Sequence, residues 1–236
     1  MWGNKNIFKY SPITDGIQDL STAKAHIPQW FKDIKPYGLS NLEWDSTGRI
    51  KKNAKSCIPF LDTFTSGYTV ELWCDVYINM SGTEREMRWG AGAGVMNPPV
   101  HVREAKDHLI PTPTGYDDIS HFVWILPYAF KTPPGYSSYM THPINRYDLP
   151  FLTLTGIVDT DKIMHGGNVP FFLKKDFVGV LKKGTPIIQI LPFKRDNWVS
   201  EKDSSLKDED REERSKSNHV FFGYYKDNKW SKKTYE

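Results

Sequence analysis

PPGYSSYMTHPINR (133–146), LTLTGIVDTD (152–161) and LKKGTPIIQILPF (181–193) follow one another in the middle of the chain. Each joins a short apolar or alternating run to polar turn residues. Short strands closed by tight turns suit a compact, mainly β domain of the barrel or jelly-roll kind. Gly184 and Thr185 read as the tight turn before the last of these strands, IIQILPF. The turns carry Asp159, Asp161, His142 and Asn145, residue types that bind or react.

Upstream, SGYTVELWCDVYINM (66–80) alternates cleanly. Tyr68, Val70, Leu72, Cys74, Val76 and Ile78 fall on one face of a single strand, with Gly67 supplying a permissive backbone at its entry. Residues 88–118 read as an excursion from the sheet. WGAGAGVMNPP and IPTPTGYDD are rich in Gly and Pro, which do not continue a ladder. GAGAG lacks the Gly-Lys-Ser/Thr ending of a phosphate loop and reads as a flexible loop. Strands resume at HFVWILPYAF (121–130) and run to about Phe193.

Three segments result: an N-terminal arm (1–50), a β domain (51–195) and a C-terminal tail (196–236). In the arm, Ile27, Trp30, Phe31 and Ile34 have helical spacing and predict a short amphipathic helix. In the tail, EKDSSLKDEDREERSKSNH (201–219) has no apolar stripe and predicts a solvated helix or a disordered link. FFGYYKDNKWSKKTYE (221–236) mixes aromatics with lysines, and its rings need a covering surface.

The 236 residues include 31 basic and 28 acidic side chains, a formal charge of +3. That balance argues against a general nucleic-acid coat, which needs clustered positive charge. Nothing approaches the ~20 apolar residues of a membrane span, and the N-terminus lacks a signal-peptide core. A soluble, cytoplasmic protein is the expectation. The two cysteines, Cys57 and Cys74, sit in apolar sequence and read as buried, reduced thiols.

Four pieces in order resemble the motifs of trimeric dUTPases. SGYTVELWCDVYI resembles the first, PPGYSSYMTHPINR the second, GIVDTD the third and KKGTPIIQILPF the fourth. dCTP deaminases share that barrel and resemble the fourth piece about as well. The chain is also similar to an uncharacterised family of tailed-phage and bacterial proteins. The resemblance implies a distorted β-barrel, a homotrimer and sites between subunits. It gives Asp159 the role of orienting or deprotonating a water, and gives Gln189 a phosphate contact. Several departures set limits on it. Thr69 stands where the first motif has Asp, Lys162 where the third has Tyr, and PINR where the second has Pro-Arg-Ser. No glycine-rich fifth motif closes the chain. Arg146 stands in for the displaced phosphate-binding arginine only if the turn is rebuilt.

The candidate site is therefore Asp159 as the catalytic carboxylate, with His142, Asn145, Arg146, Asp161 and Gln189 around a ligand. The cofactor such a site would take is Mg²⁺ arriving with a phosphate-bearing ligand. For the aspartates turn capping competes with this reading, for Arg146 a corner staple to Asp148, and for His142 a buried hydrogen-bonded ring. Three functions follow: a diverged dUTPase-like barrel binding a small ligand, with or without a phosphate, whose hydrolysis the departures from the motifs leave open; a non-catalytic phage structural or assembly protein in a virion; or a cupin-type metalloenzyme using His121, His142, His165 and Asp148.

Overall fold

The computed structural model describes residues 6–48, 50–82, 84–90, 97–220 and 223–236. The GAGAG loop falls almost wholly outside them. The chain is mainly β and divides into two compact units. The first comprises residues 1–26 and 67–195. The second comprises residues 27–66 and 196–236, so the larger part of the N-terminal arm groups with the C-terminal tail.

The first unit holds fourteen strands among the described residues. They are β1 (Lys9–Pro12), β2 (Ser21–Thr22), β3 (Tyr68–Glu71), β4 (Val76–Ser81), β5 (Glu84–Trp89), β6 (Val100–Glu104) and β7 (Ser120–Ile125), followed by β8 (Tyr128–Lys131), β9 (Tyr136–Thr141), β10 (Phe151–Thr153), β11 (Gly156–Val158), β12 (Asn168–Leu173), β13 (Gly179–Leu181) and β14 (Pro186–Lys194). Every ladder is antiparallel. The orders are β11-β9-β14-β3-β2, β10-β12-β7-β6, β13-β4-β5 and β1-β8, and none of these sheets closes on itself among the described residues.

The alternating run from Tyr68 is two strands, not one. Leu72 leaves the ladder to exchange hydrogen bonds with the turn before β14: its N–H donates to Thr185 O (2.9 Å) and its carbonyl accepts from Gly184 N–H (2.8 Å). Asp75 accepts from Lys183 N–H (2.8 Å) and from Lys182 Nζ (3.0 Å). The chain is thereby redirected, and β4 joins another sheet. The period-2 burial survives the break, since Val70, Leu72, Cys74, Val76 and Ile78 are all buried. Residues 88–118 are also not all loop, because Val100–Glu104 pair with β7 in register.

One apolar core joins the two larger sheets. Val70, Ile188, Ile190 and Met140 come from one, and Phe122, Trp124, Phe151 and Phe171 from the other. Trp124 stacks on Phe171 with ring centroids 3.7 Å apart. Each such ring stabilises the fold by about 1.5–3 kcal/mol through burial. A polar seam ties the sheets inside the core: Trp124 Nε1 donates to Thr153 Oγ1 (3.0 Å), whose hydroxyl donates to Ile187 O (2.7 Å). Buried polar groups need such partners. Beyond Ile190, β14 has β9 as its only strand neighbour among the described residues, and there Pro192, lacking a donor, is tolerated.

The second unit contains α1 (Gln29–Asp33), α2 (Ile58–Thr65), α4 (Leu206–His219) and α5 (Tyr224–Asn228); the short α3 (Ala105–His108) belongs to the first unit. Trp30 and Phe31 of the expected amphipathic helix meet Phe60 and Phe64 of α2, with ring centroids 4.9–6.4 Å apart. The charged segment of the tail is the helix α4, none of whose residues is buried. Asp208 and Glu209 at its start and Lys216 and His219 at its end complement the helix dipole. Asp210–Arg214 and Glu212–Lys216 pairs at i,i+4 support it further. Among the described residues no helix is long and apolar enough to cross a membrane. Cys74 is buried as expected, but Cys57 at the start of α2 is exposed, and neither forms a disulfide.

Candidate functional site

Asp159 and Asp161 follow β11, in a turn closed by hydrogen bonds from Lys162 N–H and Ile163 N–H to Asp159 O. Thr160 between them points inward. It is buried and shares hydrogen bonds with Thr132 and Ser138. The two carboxylates meet Arg195, which continues β14 by one residue through its N–H to Gly135 O (2.8 Å). Arg195 grips Asp161 with both terminal nitrogens, at 2.8 and 2.5 Å. Its Nη1 also lies 3.2 Å from Asp159 Oδ1 and 2.9 Å from Ser137 Oγ. Ser137 in turn donates its hydroxyl to Asp159 Oδ1 (2.6 Å), and Gly135 N–H donates to Asp161 Oδ2 (2.9 Å).

The electrostatics follow from these contacts. The Arg195 guanidinium holds the Asp161 carboxyl well below the usual carboxylate range. The Ser137 hydroxyl, with Arg195 and Lys162, lowers that of Asp159. Both are anionic at neutral pH. Asp161 is almost covered, whereas the Asp159 side chain is 46 % exposed. Its Oδ2 lies 3.8 Å from Lys162 Nζ. Asp159 is thus an oriented, ionised, accessible hydrogen-bond acceptor.

The other candidates gather at the far end of β9. Gln189 is buried and accepts Ile144 N–H on Oε1 (2.9 Å). His142 is held by the backbone on both nitrogens: Nδ1 accepts Thr153 N–H (3.3 Å), so the proton sits on Nε2, which donates to Arg146 O (3.1 Å). Burial pushes its pKa down, and the ring is neutral. Arg146 is closed on Asp148 through two 2.8 Å bonds and reaches His26 O with Nη1 (3.2 Å). This is the corner staple, not an open phosphate clamp. Asn145 turns the chain with φ 60° and accepts the Tyr147 hydroxyl.

By the register, Ser137 of the first corner and Thr141 and Gln189 of the second fall on one face of the five-stranded sheet, whereas His142 packs on the core ring of Phe151. Ser137 and Thr141 bound that face along β9, a separation of about 13 Å at ~3.3 Å per residue. Between them lies an apolar stripe set by the register, Ile157↔Tyr139↔Leu191, with Phe193 next along β14. Ile157 is 65 % exposed, Tyr139 38 % and Phe193 36 %.

Magnesium does not fit this chain's own oxygens. Both Asp161 oxygens and Asp159 Oδ1 are committed to Arg195, Gly135 and Ser137, whereas Mg²⁺ needs a near-octahedral set of free oxygens. The histidines expected of a cupin centre do not assemble either. His121 lies against His108 (3.0 Å) and Thr112 (2.7 Å), and His165 is exposed in a bridge to Ala129. Among the described residues no group of three or more His, Cys, Asp or Glu could hold a metal ion. The organising residue that sequence reasoning left out of the site is Arg195, together with Ser137. Compared with known proteins, the chain matches no family model and no curated sequence.

Proposed function

We propose that this chain is a diverged dUTPase-like barrel protein that binds a small, phosphate-bearing ligand at the Asp159 corner and does not hydrolyse it. The observation that carries the reading is the sheet face on which ionised, half-exposed Asp159 borders the exposed apolar side chains of Ile157, Tyr139 and Phe193. Such a surface suits a ligand with a planar apolar part and a hydroxyl that donates to Asp159. Hydrolysis is left out because Arg146 is spent on Asp148 and no group of metal-holding side chains is found among the described residues. Any magnesium arrives with the phosphate. In a homotrimer, the Asp159 corner of one copy and the Gln189 corner of a neighbour would frame the ligand together.

Thermal shift with nucleoside triphosphates tests this, since ligand binding to the native state raises its melting temperature. Stabilisation by at least one nucleoside triphosphate, reduced in Asp159→Ala, is the expected result. No response from the wild type would refute it. A second reading, a non-catalytic assembly protein, is favoured by the exposure of Ile157 and Tyr139 on that same face. Ile157→Asp would then dissociate an oligomer seen by sedimentation. A monomeric wild type would exclude it.

A further inference from the structure

The second unit contains a cavity that the Asp159 reading does not use. It has a volume of about 1010 Å³, at the upper end of small-ligand sites. Lys52, Lys55 and Lys226 line it, and among the described residues no Asp or Glu does. The nearby carboxylates are already matched. Asp62 of α2 accepts Trp230 Nε1–H (3.2 and 3.0 Å) and Lys233 Nζ (2.7 Å). Glu213 of α4 accepts the Tyr224 hydroxyl (2.7 Å) and Lys229 Nζ (3.0 Å). Lys55 is fixed by the carbonyls of Lys32 (2.9 Å) and Ile34. Lys52 and Lys226 are exposed and have no partner among the described residues.

The same hydrogen bonds anchor the polar ends of Tyr224 and Trp230, whose side chains form part of the wall with Tyr225. Aromatic side chains tethered at one end offer apolar surface at little entropic cost. Unmatched lysines beside them favour a compact anion. We propose that this cavity binds a planar aromatic anion of the nucleotide kind, its ring among Tyr224, Tyr225 and Trp230 and its phosphate at Lys52 and Lys226. The site is separate from the Asp159 corner and does not depend on that reading.

Equilibrium dialysis of the full chain tests it, with nucleoside monophosphates, inorganic phosphate and a single-stranded oligonucleotide as probes. The expected result is monophosphate binding that weakens at least tenfold in the Lys52→Glu/Lys226→Glu variant and is unchanged in Asp159→Ala. Both lysines are exposed, so an unchanged melting temperature checks the variant's fold. Cys57 also lines the cavity, and the monophosphate should slow its alkylation. Several results would overturn the proposal: no binding, equal binding of inorganic phosphate, tighter binding of the oligonucleotide, or unprotected Cys57. Binding lost in Asp159→Ala but kept in the lysine variant would assign the ligand to the other site and overturn this one alone.

Discussion

Gly67 stands where β3 meets β14, the strand that carries both Gln189 and the approach to Arg195. Its φ is +80°, and a Cβ added there would lie 2.1 Å from Ile190 O and 3.0 Å from the same carbonyl carbon. An L-residue in the left-handed region costs about 1–2 kcal/mol. The overlap is with backbone, so no side chain can rotate away. Relief requires β14 to move from β3, weakening a ladder hydrogen bond of about 1 kcal/mol and straining core packing by about 1–3 kcal/mol. Gly67→Ala should therefore cost about 3–6 kcal/mol, a large part of a typical 5–15 kcal/mol stability. Gly16 is the matched control: it has the same φ of +80° but nothing within 4 Å of the added Cβ. Gly16→Ala should cost only about 1–2 kcal/mol, from the backbone conformation alone. The unfolded-state gain of a Gly→Ala change is common to both and cancels in their difference. Urea denaturation followed by tryptophan fluorescence measures both variants. Equal stabilities would refute the close approach of β14 to Gly67.

Three further outcomes are expected. Arg85 is buried against Asp117 (2.9 Å) and also donates to Lys174 O (3.3 Å), so Arg85→Met should cost about 3–5 kcal/mol, part of it recovered in Arg85→Met/Asp117→Asn, which removes the unpaired charge and keeps an acceptor for Ile119 and Ser120 N–H; full stability of the single variant in urea would contradict the pairing. Burial lowers the pKa of His108, His121 and His142 below the unfolded value of about 6.5, so the folded state binds fewer protons than the unfolded one in mild acid. Their stabilising contribution is complete above that value and is lost as pH falls through the lowered pKa values; urea midpoints should drop between pH 7.5 and 5.5, and less steeply in His108→Gln. Burial, with Asp75 adding to it, pushes the Cys74 thiol up to about 11, whereas Cys57 is exposed. An Ellman titration should find one reactive thiol in the native protein and a second only in denaturant.

Local periodicity made much of the β region legible. The turn at Gly184, the last strand from Pro186 and the helix around Trp30 and Phe31 follow from short-range patterns alone. The division of the 66–80 run was hidden because burial keeps period 2 through Leu72–Asp75. The partner that breaks the ladder, the turn at Lys182–Thr185, lies about a hundred residues away. β6 was masked by its Gly- and Pro-rich flanks, since VHVRE is too short to stand out without β7 beside it. The candidate site divided in the same way. Asp159 and Asp161 were visible as a spaced carboxylate pair, but their neutralising Arg195 is a long-range partner with no local signature. Arg146 and Asp148 announced their own pairing by adjacency. The association of residues 27–66 with 196–236 was announced only by an aromatic tail in need of cover.

The most direct test of the central claim is ³¹P NMR of nucleoside triphosphates with Mg²⁺, titrated with the wild type and with Asp159→Ala. Shifted or broadened phosphate resonances are expected with the wild type, a smaller change with the variant, whose lysine-lined cavity is intact, and no new product resonance on prolonged incubation. Accumulation of pyrophosphate or inorganic phosphate that depends on Asp159 would contradict it, as would spectra that the wild-type protein leaves untouched.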